Sequence, residues 1–273
     1  MGKNNKKSNN FKVLFVSVAV IFLSRTFYET TLNRQVVEAD ICVEAPSDNG
    51  NIKKNVDQAV GKNSIDKDNE ESRIKKIIED DKDSIVRLVN ENNPIDNRDL
   101  KESLVIPRVS LVEESKNEKN HLRVEASKAL EKMLNDAKEQ SKLTIYLSSG
   151  YRSKERQTQV YNAKVYNSGD KNQEFVAKPG HSEHQTGLAV DLTARSVKFK
   201  LIQDFQYTSE GKWLYENAHK YGFVLRYPKD KTEETGYSFE PWHFRYVGEE
   251  VSSYMKKNNL TLEGLYKKLN LAP

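Results

Sequence analysis

The sequence is short of several features that would assign it to common classes. It holds one cysteine, Cys42, in 273 residues, so no disulfide can close within the chain and no thiolate zinc cluster can be assembled. From Glu29 through Ile145 there is not one Phe, Trp or Tyr, so that stretch lacks the aromatic side chains that contribute most area to a core. Hydrophobic residues make up 36% of the chain and the mean hydropathy is −0.79, which implies that a good part of it is not packed. Neither sign of charge dominates. With 44 basic against 40 acidic residues the net charge is +4, and no basic stripe interleaved with aromatics is present, which argues against a nucleic-acid partner. Internal repeats, a Gly-rich phosphate loop and a nucleophile elbow are all missing.

What is present begins with Lys3, Lys6, Lys7 and Lys12, followed by an apolar run from Val13 to Leu23 broken only by Ser17. This is a basic n-region and an h-region. The run is shorter than the about 20 residues of a spanning helix, which fits a signal peptide over residues 1–28. Extended through Phe27 and Tyr28, it would instead make an uncleaved signal anchor. Either way, the lysines keep the N-terminus inside and export the rest. Residues 29–83, rich in Asn, Asp, Lys, Glu and Ser, read as a polar tether too poor in apolar surface to fold alone. Ile74, Ile77 and Ile78 could line one side of a short helix near its end. The texture changes at Ser84, and residues 84–273 are the expected folded domain.

Within that domain Ile85–Val89 reads as a strand, stopped by Asn92-Asn93-Pro94. Ala126, Leu130, Met133, Leu134 and Ala137 recur at spacings of three and four, which predicts an amphipathic helix over 124–137. Leu143, Ile145 and Leu147 alternate as in a strand and lead to Ser149–Ser153, after which a helix is expected over about 154–166. Trp213, Leu214, Asn217, Ala218 and Tyr221 mark the inward side of another helix, with Gly222 as its cap. A strand at 223–225, a second from Trp242 onward and a closing helix around 251–257 complete the reading.

Two stretches carry the chemistry: Gly180–Leu192 (GHSEHQTGLAVDL) and Phe239–Val247 (FEPWHFRYV). The first offers His184 on a loop and Asp191 at the end of a short strand; the second offers His243. These are donors that zinc accepts in a three-ligand site left open to water. Glu240, three residues before His243, is free to act as a base. It precedes Pro241 and is expected to be extended, while His243 and Arg245 share one side of the following strand. Arg152, at a strand-to-helix junction, would be held rigidly yet remain accessible. His121 and His219 read as solvated surface residues.

Three blocks, SGYRS at 149–153, SEH through Asp191 at 182–191, and EPWHFRY at 240–246, resemble the zinc D-alanyl-D-alanine carboxypeptidases of the LAS group, especially its VanY-type branch. The pattern S-x-H-x-x-G-x-A-x-D in the second block fixes five residues, and the likeness runs from about Ser84 to Tyr254. It implies an α+β fold, a small antiparallel-rich sheet with flanking helices, and zinc as cofactor on His184, Asp191 and His243. It also implies Glu240 as the catalytic base, Arg152 facing the oxyanion, and Ser182, Gln157 and Trp242 as substrate contacts. His181 becomes a rim residue, since the family pattern uses only the second histidine of His181-x-x-His184. The implied activity is removal of the terminal D-alanine from peptidoglycan stem peptides ending in D-Ala-D-Ala. Alternatives are an L,D-carboxypeptidase acting on tetrapeptides, a peptidoglycan endopeptidase, and a non-catalytic zinc module that binds wall peptides. The protein would be a monomer outside the cytoplasm, membrane-anchored or secreted to the cell wall, touching the membrane only through an uncleaved N-terminal segment.

Overall fold

The structure is a computed structural model in which residues 68–95, 104–113, 116–168 and 176–273 are described. The chain divides into two units, 1–54 and 55–273, and every described residue belongs to the second. The expected signal segment, Cys42 and the tether as far as residue 67 lie outside the described residues. Among the described residues no helix is long and apolar enough to cross a membrane.

Two short strands, β1 (Leu104–Val105) and β2 (Leu122–Arg123), pair antiparallel with each other. A larger antiparallel sheet is built from β3 (Tyr146–Ser149), β4 (Ala189–Thr193), β5 (Phe223–Leu225) and β6 (His243–Tyr246), in the order β3-β4-β6-β5. The apolar stripe predicted for 124–137 is the buried side of α2 (Val124–Ser141). That helix ends at Lys142, whose left-handed backbone (φ 58°) turns its N–H back onto the carbonyls of Ala137 and Lys138, a common way to satisfy the last orphan acceptors. The stripe shares one core with Leu147, Val190, Leu192 and Phe244 of the sheet. Side chains alternate across a strand, so Asp191, His243 and Arg245 point to the opposite side. One face of the sheet therefore stabilises the fold, and the other carries chemistry.

Helix α3 (Lys154–Ser168) follows β3 as expected. The helix α4 (Ser209–Asn217) starts at Thr208, whose hydroxyl accepts the Gly211 N–H. It then tightens into a 3-10 turn over Ala218–Tyr221 before Gly222, where one continuous helix was expected. Beyond the four-residue α5 (Thr232–Thr235), α6 (Glu249–Lys257) and α7 (Leu262–Lys268) close the chain.

The start of the domain differs from the sequence reading. Residues 68–79 form helix α1, and Ile74 is buried in a second core with Val86, Leu88, Val224, Val251, Met255 and Leu265. The folded body thus reaches back past the boundary expected at 84. The strand expected at 85–89 is also absent, although Val86, Leu88 and Val89 are buried. Its backbone is satisfied by side chains instead of a neighbouring strand. The Val86 N–H donates to the Asp81 carboxylate (2.7 Å), the Tyr266 hydroxyl bridges the Leu88 N–H and the Val86 carbonyl (both 3.3 Å), and the Arg245 guanidinium donates to the carbonyls of Ile85 (2.9 Å) and Arg87 (3.0 Å).

Candidate active site

Strand register brings the candidate ligands together. Asp191 lies opposite Ser149 of β3 on one side and opposite His243 of β6 on the other, and directly opposed residues share a face. His184 enters from a 3-10 turn, Glu183–Thr186, which ends at Gly187 in the left-handed region (φ 70°). A Cβ at Gly187 would lie 3.1 Å from the Arg123 side chain and 3.3 Å from its backbone nitrogen, so glycine suits this turn both sterically and conformationally. Asp191 sits in the middle of β4, not at its end as expected.

The donor atoms of His184, Asp191 and His243 all lie within 4.8 Å of one another, and all three residues are buried. His184 Nε2 is 3.2 Å from one Asp191 carboxylate oxygen, and His243 Nδ1 is 3.0 Å from the other. The two imidazoles therefore turn different nitrogens inward. For His184 the reason is clear: its Nδ1 is 2.6 Å from the Gly150 carbonyl oxygen, so Nδ1–H donates there and Nε2 keeps its lone pair. Gly150 is constrained in turn, because a Cβ on it would come within 2.5 Å of the His121 carbonyl oxygen. The strand-to-helix junction is tied to the same turn by the Arg152 N–H, which donates to the His184 carbonyl (3.1 Å).

Burial alone would raise the Asp191 carboxyl, but His184 and His243 outweigh it and hold the group well below the usual carboxylate range. Burial lowers His184. For His243 burial works the same way, yet the hydrogen bond to Asp191 and the nearby Glu183 carboxylate outweigh it and push the imidazole up to about 9. Glu240, with Oε2 at 3.9 Å from His243 Nδ1, is pushed up to about 7, chiefly by burial and further by Asp191, against His243 and Arg152.

These groups line one cavity of 580 Å³. Arg152, Ser182, His184, Asp191, Glu240, Trp242 and His243, all singled out in the sequence, contribute to its wall. So do Tyr227 and Tyr237, which were not. Their rings stack at 4.8 Å, and Tyr227 lies 5.0 Å from the His243 ring. Gln157, expected to contact substrate, is fully buried, and both ends of its amide are engaged by the protein. Its Oε1 accepts from Arg152 (3.0 Å) and its Nε2 donates to the Ala177 carbonyl (2.6 Å). It holds Arg152 rather than lining the cavity. His181 bonds the Asn90 carbonyl through Nδ1 (2.9 Å) and is not one of the three clustered donors. His219 is half-buried rather than solvated, and its Nδ1 has no hydrogen-bond partner among the described residues.

A buried charge cluster under the ligands also escaped the sequence reading. Glu183 Oε1 accepts from Arg226 Nε (2.8 Å) and Arg245 Nη1 (2.9 Å), and Arg226 forks onto Glu263 of α7 at 2.8 and 2.7 Å. Period-two alternation from His243 placed Arg245 on the ligand side without giving it a role; nothing local points to Arg226 or Glu263.

Two imidazoles and one carboxylate, buried and converging, suit zinc with a position left open. The hydrogen bond from His184 to a backbone carbonyl is the kind of outer partner that metal-bound histidines have. The comparisons agree. A family profile described as VanY, D-alanyl-D-alanine carboxypeptidase, matches residues 119–249. The chain is 43% identical to YodJ of Bacillus subtilis (strain 168) over 188 residues, 68% of each protein. It superposes with TM-score 0.62 on the LdcB LD-carboxypeptidase, a structure described for its peptidoglycan recognition, at 43% identity over 66% of this chain and 85% of that one. A vancomycin resistance D,D-pentapeptidase, a VanY variant solved with Zn(II), matches at 33% identity and TM-score 0.54 over 66% of this chain and 98% of its own.

Proposed function

The chain belongs to the VanY family of D-alanyl-D-alanine carboxypeptidases, and from that premise we propose that it removes the terminal D-alanine from peptidoglycan stem peptides ending in D-Ala-D-Ala. It is a zinc carboxypeptidase; the identity of the peptide it trims is the proposal. The observation that carries catalysis is that Glu240 and Arg152 reach the same cavity as the three metal donors, since a metal held for structure or for binding alone needs neither.

Zinc, when bound by His184, Asp191 and His243, supplies Lewis acidity for the scissile carbonyl and for the attacking water. Glu240 takes the water's proton and hands it to the leaving amine; burial raises this carboxyl, which works against the acidifying pull of a cation beside it and favours its holding the proton in transit. Arg152, braced by Gln157 and by Ser149 Oγ (3.4 Å), places a fixed cation where the oxyanion develops. A donor of this kind contributes about 3 to 4 kcal/mol to the transition state. Ser182 bonds the substrate's terminal carboxylate, and Trp242, with Tyr227 and Tyr237, forms the wall against the alanine methyl group.

The likeness to LdcB supports a second reading, an L,D-carboxypeptidase acting on tetrapeptides. Incubating the zinc-loaded protein with pentapeptide and tetrapeptide stems and weighing the products separates the two. Loss of one alanine from the pentapeptide is expected, with a much poorer rate on the same peptide amidated at its C-terminus. Preferential trimming of the tetrapeptide would move the assignment to the second reading. Equal cutting of the amidated form would mean an endopeptidase, and binding without cutting a wall-binding module.

A further inference from the structure

Glu183 takes no part in the chemistry above, yet its side chain is fully buried directly beneath a metal ligand. Its Oε1 is pinned by two guanidiniums, those of Arg226 and Arg245, and Arg226 is itself held by the fork onto Glu263. The carboxylate therefore cannot swing, and its second oxygen has a fixed aim. Oε2 faces His243 Nε2 at 3.6 Å, and neither atom has a hydrogen-bond partner among the described residues. Two buried polar atoms rarely stay unpaired. These two face each other, on a residue pair whose other atoms are already committed.

We propose that Glu183 is a positioning residue for His243: its Oε2 receives the Nε2–H, which fixes the tautomer that leaves Nδ1 free for the metal. A neutral imidazole has one N–H and one lone pair, and the partner of the outer nitrogen decides which nitrogen ligates. His184 makes the opposite choice by donating Nδ1–H to the Gly150 carbonyl. His243 needs an acceptor on its Nε2 side, and Glu183 is placed there. The device is built into one strand, because β6 supplies both the ligand His243 and, two residues on, the Arg245 that holds the ligand's partner. This inference rests on zinc at His184, Asp191 and His243, and the test separates the two claims.

Nitrogen-15 NMR of the imidazoles in the zinc-loaded wild-type protein reads the tautomers without any substitution. Opposite patterns are expected, with the proton on Nε2 of His243 and on Nδ1 of His184. A His243 protonated on Nδ1 would overturn the proposal, and failure of the wild-type protein to take up zinc would overturn the metal site itself. Glu183→Gln adds an independent readout. The two arginines demand the amide oxygen, so the amide NH2 is left facing His243 Nε2, where it favours the wrong tautomer. Competition with a chromophoric chelator should then show zinc affinity lowered about 10- to 100-fold. An unchanged affinity in folded Glu183→Gln protein would reduce Glu183 to a counter-ion for the arginines; if the variant does not fold, the wild-type spectra decide.

Discussion

At the scale of single residues, Glu240 carries the sharpest prediction. Burial pushes its carboxyl up to about 7, and it must be ionised to accept a proton. Activity should therefore rise with pH as the group deprotonates. A dication beside it favours the carboxylate, so the acid limb of kcat/KM for the zinc-loaded enzyme should lie below 7. Glu240→Gln should keep zinc, lose about 100- to 10,000-fold in turnover and lose that limb. A pH profile with the limb intact in the variant would remove Glu240 from the base role. The metal donors and Glu240 were legible in the sequence because each lies in a short block whose spacing survives without the fold. Gln157 shows the complementary limit: a matching position says nothing about burial, and here both ends of the amide are taken up by Arg152 and Ala177. Glu183 was quoted within its block but given no role, since its meaning depends on Arg226, 43 residues away along the chain.

Elements were legible where periodicity and burial agree and obscure where they part. The stripe of α2 and the alternation in β6 both matched a packed face. Residues 85–89 are apolar but for Arg87, as a strand can be, and are largely buried, but they are held by Asp81, Tyr266 and Arg245 rather than by a partner strand, an outcome no local pattern encodes. The helix α1 was visible only as three isoleucines in a polar stretch, because its apolar partners lie in α6 and α7. This segment should matter for stability. Ile74, Val86, Leu88 and Val89 are 0 to 5% exposed, and burying such side chains contributes about 1.5 to 3 kcal/mol each. Together they are comparable to the about 5 to 15 kcal/mol by which a domain is stable. A chain starting at residue 68 should therefore unfold thermally like the full protein. A chain starting at residue 91 should fail to fold or melt far lower, since it also strips the Ile85 and Arg87 carbonyls from Arg245. Equal melting of the two pieces would show that the segment merely lies against the body.

For the molecule as a whole, the substrate proposed above sets where the catalytic body must be. Peptidoglycan lies outside the cytoplasmic membrane, and no helix among the described residues is long and apolar enough to cross one. If the body meets that substrate, residues 68–273 must lie together on the outer side. The only stretch with the pattern of an export signal is Val13–Leu23 behind Lys3, Lys6, Lys7 and Lys12, and the positive-inside bias would put those lysines in the cytoplasm. The segment between run and body should then be outside as well. Cys42 falls in that segment and is the only cysteine in the chain, so a membrane-impermeant maleimide reports its side without any engineered substitution. Labelling of intact cells should match that of lysed cells, and Cys42→Ser should abolish both signals. The same result is expected whether residues 1–28 are removed or retained, because residue 42 lies beyond them; the mass of the labelled chain tells the two apart. Labelling that appears only after lysis would place the enzyme on the wrong side of the membrane for peptidoglycan and would overturn the export assignment together with the proposed substrate.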